Sequence, residues 1–279
     1  MRKFIVFIFS IAFNASMMFG LGFGWSIIET NNPKMGECSV DVFEGTDLYD
    51  FACLVDKQDV NGIKNSYSKY EGLFDSLESK GTDNKHVHLK LMHWAVGNKK
   101  YEALETLLVL GMNPNVLVEY GDYKLSPLYF ALFNSRNHGI NETDKFISLL
   151  LKYKADPNIG RSPLWCFTSA ESVKGDLGKL KLLVDNSDIN LEQYGYLDKP
   201  LFMILIEKRS SSLDLAKYLL IDCSINIDCN YFDDDGLKKK NEMTNSIDRI
   251  KFLSKDKNYK FKKNKDFLLI LERAKSCSN

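Results

Sequence analysis

The chain has 279 residues, with 37 basic and 37 acidic side chains, so its formal net charge at pH 7 is zero. That balance argues against a dedicated nucleic-acid binder, which carries a marked basic excess. Beyond the N-terminal segment, roughly 250 residues remain, enough for one elongated domain with a substantial core.

Arg2 and Lys3 precede an uncharged stretch over residues 4–28, rich in Phe, Ile and Met. A positive start before an apolar run is the pattern of a secretory signal, with Gly24 as a fitting cleavage point. The run also reaches the roughly 20 residues that a bilayer span needs. Residues 1–24 are therefore read as a signal peptide or a membrane anchor. In both cases the basic residues stay inside and the rest of the chain faces out. The first cysteine, Cys38, lies well beyond the apolar run, so no Leu-x-x-Cys lipid-attachment pattern follows it. Residues 25–46 read as a linker. Within 47–88, segments 48–54, 63–70 and 73–77 have helical character and are expected to form an N-terminal helical cap or a degenerate repeat.

A self-similar unit then recurs. Leu91-Met92-His93-Trp94-Ala95 is trailed by Leu107-Leu108 and Asn113-Pro114-Asn115. Ser126-Pro127-Leu128-Tyr129-Phe130-Ala131 is trailed by Leu149-Leu150-Leu151 and Ala155-Asp156-Pro157-Asn158. Ser162-Pro163-Leu164 leads to Leu182-Leu183 and Asp188-Ile189-Asn190, and Lys199-Pro200-Leu201-Phe202 to Leu219-Leu220 and Ile225-Asn226. From Met92 to Leu128, Leu164 and Leu201 the steps are 36, 36 and 37 residues. These units resemble the ankyrin repeat, which opens on Thr-Pro-Leu-His-x-Ala and has a period of about 33 residues. The resemblance runs over about residues 89–230, within a repeat region taken as 89–240. It implies an all-α solenoid of helix-turn-helix units, four recognisable repeats between helical caps.

Each part of the unit has a physical task. The Ser before Pro caps the first helix, and Pro suits a first turn whose N–H would be unpaired anyway. The paired leucines lie on the face of the second helix that meets the next repeat. The closing Asn is expected in a left-handed or turn conformation. His93 takes the place of the repeat's histidine and is expected to be a structural hydrogen-bonding group. No repeat can bury its apolar face alone, so the ends need caps. Residues 241–279 are read as the C-terminal cap, with Ile247, Ile250 and Leu253 at helical spacing and an apolar stretch at 267–271.

Six cysteines in an exported chain can pair, because export leads to an oxidising compartment. Cys223 and Cys229 are close enough to bridge the turn at Ile225-Asn226, and Cys38 with Cys53 could tie the N-terminal segment to its cap. Cys166 reads as a buried thiol. The chain has no Gly-x-Ser-x-Gly, phosphate-loop, His-Glu-x-x-His or Cys-x-x-Cys motif. His86 and His88 sit in a polar entry segment, and Asp233-Asp234-Asp235 lacks the ligand spacing of a calcium loop. No catalytic residue, cofactor or metal ligand is expected, and the chain is read as a non-enzyme.

Binding is what the residues point to. The turns between repeats project on one side, and here they are aromatic and acidic: Glu119, Tyr120, Asp122 and Tyr123; then Tyr194, Tyr196 and Asp198; then Tyr231, Phe232, Asp233, Asp234 and Asp235. Aromatic side chains bury much area at small entropic cost, and the acids around them are expected to steer a basic partner surface. An exported single solenoid of this kind is similar to the immunity proteins encoded beside phospholipase effectors of type VI secretion systems. That similarity implies a periplasmic protein that caps a cognate toxin and blocks its access to substrate. The alternative is a periplasmic scaffold supporting an envelope enzyme or a stress response. The partner is a protein in either case, with no nucleic acid, and the membrane is met only through residues 4–28 if they remain attached.

Overall fold

The repeated segments fold as helix pairs in the computed structural model, which describes residues 38, 40–75, 89–138, 140–168, 176–191, 205, 213–225, 254–255 and 264–276. The pairs are α1 (Tyr49–Asp56) with α2 (Val60–Tyr70), α3 (Leu91–Gly97) with α4 (Tyr101–Val109), α5 (Pro127–His138) with α6 (Ile140–Lys152), and α7 (Leu164–Thr168) with α8 (Leu177–Asn186). Helix α9 (Leu213–Lys217) continues as a π-helical turn over Tyr218–Asp222, and α10 (Lys265–Ser276) follows. The first helices stack on one another, α1 on α3, α3 on α5 and α5 on α7. The second helices form a parallel column in which α2 meets α4, α6 meets α8, α8 meets α9, and α9 meets α10. This two-column stack is an ankyrin-type solenoid. Among the described residues it departs from a purely helical chain at an antiparallel strand pair, β1 (Val118–Tyr120) and β2 (Tyr123–Leu125), in the connection between α4 and α5.

The local signals act largely as their chemistry requires. Ser126 Oγ accepts from Tyr129 N at 3.2 Å and Ser162 Oγ from Leu164 N at 3.3 Å, each satisfying an N–H that the first turn leaves open. Asp59 and Asp176 cap α2 and α8 in the same way. Leu104, Leu107, Leu149, Leu150, Leu180, Leu183, Leu219 and Leu220 are all buried, so the leucines of the second helices form the continuous core. Burying such a side chain contributes about 1.5–3 kcal/mol, and here the neighbouring repeat supplies the covering surface.

The closing asparagines Asn115 and Asn158 lie in turns, as expected. The left-handed residues lie earlier, at Gly111 (φ +96°), Lys154 (φ +67°) and Ser224 (φ +52°). Within those turns, the asparagine side chains also clip successive repeats together. Asn115 donates from Nδ2 to Lys154 O at 3.1 Å while its Oδ1 accepts from Asp156 N at 2.7 Å. One repeat later, Asn158 donates to Asp188 O at 2.9 Å and accepts from Asn190 N at 2.8 Å. A side-chain amide has both a donor and an acceptor, so it can stand in for a strand pair between two loops. Replacing Asn158 with Ala removes two such bonds, and about 1–2 kcal/mol of stability should be lost in urea denaturation. An unchanged midpoint would mean that water replaces the amide at no cost.

The N-terminal cap is a complete helix pair. Phe51 packs against Tyr70 and Phe74, with ring centroids 5.1 Å away in both cases, and Tyr67 meets Phe74 at 5.0 Å. The segment read as a linker ends inside the core. Val40 and Phe43 are fully buried around a 3₁₀ turn at Asp41–Phe43, and Phe43 meets Trp94 of α3 edge-on. A disulfide joins Cys38 to Cys53 of α1 with Cα atoms 5.3 Å apart, the pairing considered from sequence. Closing a loop of about 15 residues restricts the unfolded chain by about 3 kcal/mol. The Cys38→Ser/Cys53→Ser variant should lose that amount in denaturant unfolding, and reduction of the wild type should match it.

At the other end, Phe267 and Ile270 of α10 are fully buried, while Leu268 and Leu269 are exposed. Residues 247, 250 and 253 lie outside the described residues, as does the apolar stretch 4–28. Among the described residues, no helix is long and apolar enough to cross a membrane.

Candidate functional site

Among the described residues, the β1–β2 hairpin interrupts the helix pairs and carries a run of exposed side chains from Gly121 to Lys124. Its register pairs Val118 with Leu125, Glu119 with Lys124, and Tyr120 with Tyr123. Side chains alternate between faces along a strand. Val118 and Leu125 are accordingly buried, while Glu119 and Lys124 lie together on the exposed face as a cross-strand pair of opposite charge. Tyr120 is half-buried against the core, and Tyr123 is 47% exposed near the tip. The loop between them is Gly121-Asp122, with Gly121 at φ +54°, a conformation Gly adopts without steric cost.

Two contacts fix this hairpin to the stack. On one side His93 of α3, fully buried, bonds the Leu125 carbonyl at 3.0 Å. A carbonyl can only accept, so Nε2 carries the proton and donates. On the other side Arg161 N donates to Lys124 O at 2.7 Å. Gly160 makes that approach feasible. It has φ +63°, and a Cβ there would lie 2.5 Å from Lys124 O. Any other residue would push the segment off the strand.

This approach delivers Arg161 onto the aromatic end of the hairpin. Its guanidinium carbon lies 3.9 Å from the Tyr123 ring centroid, 3.7 Å from that of Trp165 and 5.8 Å from that of Tyr129. Planar guanidinium groups stack on aromatic faces, and such contacts contribute about 0.5–1 kcal/mol at exposed sites. Burial raises the Tyr120 phenol, and the positive charge of Arg161 partly offsets it. Beneath the cluster, Tyr129 and Cys166 share a side-chain hydrogen bond. Burial pushes the Cys166 thiol up to about 12, against the lowering effects of Arg161 and Tyr129, so it is an inert core group.

Of the residues expected to bind a partner, Glu119, Asp122 and Tyr123 are exposed on this hairpin, and Tyr120 is half-buried. Tyr194, Tyr196, Asp198, Tyr231, Phe232, Asp233, Asp234 and Asp235 lie outside the described residues. Cys223 is a free thiol whose pKa is raised by burial, and its expected partner Cys229 lies outside the described residues. The sequence reading missed Arg161 and Trp165. The usable signal was register, because Arg161 precedes Ser162-Pro163-Leu164 as Leu125 precedes Ser126-Pro127-Leu128. Both positions therefore enter the first helix from the projecting side.

No protein-family model matches the chain, and no curated protein matches it. Among solved structures, it is similar to the crystal structure of EF0377, an ankyrin repeat protein. The identity is 16%, the match covers 79% of this chain and 93% of that one, and the TM-score is 0.48.

Proposed function

We propose that this is an exported protein-binding module, and that it serves as an immunity protein that caps and neutralises a secreted antibacterial effector such as a phospholipase. The observation carrying the binding part is the hairpin, held rigidly by His93 and Arg161, with an exposed Tyr123 and charges of both signs around it. Rigid aromatic anchors on a fixed backbone lose little entropy on association. Export is supported by the Cys38–Cys53 disulfide, since such bonds persist in oxidising compartments such as the periplasm. The positively charged, then apolar, N-terminus points the same way.

The test is capture of the tagged full-length protein from its own cell envelope, joined to a protection assay. Recovery of a toxin encoded beside it, with rescue of cells expressing that toxin, would support immunity. Recovery of a resident envelope enzyme without any protective effect would favour the scaffold. Failure to bind or protect against the neighbouring gene product would remove the immunity reading.

A further inference from the structure

Arg161 carries a charge that no carboxylate among the described residues pairs with directly. The ion pairs of the described residues include those of Lys100 with Asp56 and of Lys179 with Asp144 and Asp176, and Arg161 takes part in none of these. Its contacts are the backbone bond to Lys124 and the rings of Tyr123, Trp165 and Tyr129. Two ring centroids, 3.9 and 3.7 Å from the guanidinium carbon, crowd close against it. Rings offer no hydrogen-bond acceptor in the plane of the group, and its N–H donors, a fork that matches a carboxylate, meet no carboxylate among the described residues.

We infer that the edge of Arg161 receives one Asp or Glu side chain of the protein partner, with the exposed Tyr123 ring as the apolar contact beside it. This rests on the protein-binding reading above and names the chemistry of the partner. The stacked rings hold the guanidinium in place beforehand, so little side-chain freedom remains to be lost when the carboxylate arrives. The surrounding charge selects a single acidic group over a polyanion. Glu119 and Asp122 offset Lys124 and Arg161 across the same hairpin, and a phosphodiester backbone needs a basic stripe that this surface does not offer.

The experiment pans a random peptide phage library on the full-length protein and on Arg161→Gln and Arg161→Lys, each checked for fold by circular dichroism. The wild type should enrich peptides containing Asp or Glu next to an apolar residue. A selected peptide should lose roughly ten- to hundredfold in affinity on Arg161→Gln, and part of that on Arg161→Lys, which keeps the charge without the fork. Should the variants fold poorly, an Asp→Asn or Glu→Gln change in the peptide gives the same readout on the wild-type protein. Peptides without acidic enrichment, or affinity indifferent to these changes, would overturn the carboxylate site and leave the protein-binding reading standing. Enrichment of no peptide at all would overturn both, and Arg161-dependent binding of a single-stranded oligonucleotide would replace the carboxylate with a phosphate.

Discussion

Replacing Asp144 and Asp176 together with Ala should cost about 3–5 kcal/mol, because it takes two ion-pair carboxylates away from a buried charge. That charge is Lys179, whose side chain is 1% exposed although it begins a leucine-rich helix. Its ammonium lies 2.8 Å from Asp176 Oδ2, the N-cap residue of its own helix α8, and 3.0 Å from Asp144 Oδ1 of α6. The second contact lacks hydrogen-bond alignment, so it acts through charge alone. The pair therefore links two neighbouring second helices through one cation. Burial raises the Asp176 carboxyl, but the hydrogen bonds and charge of Lys179 outweigh this and hold it below the usual carboxylate range. Its contribution is thus present above the ordinary carboxylate pKa and is lost as pH falls through the lowered one.

The decisive comparison adds Lys179→Met to the double variant. With the cation gone, the partly exposed carboxylate positions no longer matter to it, and most of the lost stability should return, apart from about 1 kcal/mol for the missing cap. Lys179→Met alone should be close to neutral. If the triple variant is as unstable as the double one, the loss comes from packing of α8 and not from the buried charge.

What the sequence made legible, and what it did not, follows from how far each interaction reaches along the chain. The Ser-Pro-Leu entries and leucine-bearing second helices are local signals, and they produced the two helix columns directly. The Cys38–Cys53 pairing was also readable, because it joins neighbouring segments. The closing asparagines are readable as turn residues but not as clips, since their side-chain bonds run to the next repeat, 39 and 41 residues away for Asn115. Phe43 was assigned to a linker because nothing near it in sequence shows that Trp94 will cover it. Arg161 was overlooked for the same reason. Its meaning comes from Tyr123, 38 positions earlier in the numbering, and from the freedom of Gly160 to lie against β2. The burial of Lys179 has no local signal, because it depends on α8 packing against α6, which brings Asp144 to the ammonium. Local pattern decides which elements form, and contacts between repeats decide what their polar residues do.

Acid should weaken the fold through His93 well before it titrates the carboxylates. Burial holds this imidazole at about 3, with the bond to Leu125 opposing that shift and Lys90 adding to it. In the unfolded chain the same group titrates near 6.5. Above that value neither state binds the proton, and the full stability is present. As pH falls below it, the unfolded chain takes a proton that the folded one refuses, and stability drops by up to about 1.4 kcal/mol per unit until the folded pKa is reached. By pH 4 the loss is on the order of 3 kcal/mol, and below about 3 it levels off. His93→Gln isolates the effect, because its amide can still donate to Leu125 O but does not titrate. The variant should be less stable at pH 7.5, having lost the edge-on contact with Phe130, yet its stability should fall less steeply between pH 6.5 and 4.5 by about one proton. Identical slopes for the two proteins would mean that the imidazole is protonated in the folded state. In that case the bond holding the hairpin to α3 would be charge-assisted, and the hairpin would tighten in acid instead of loosening.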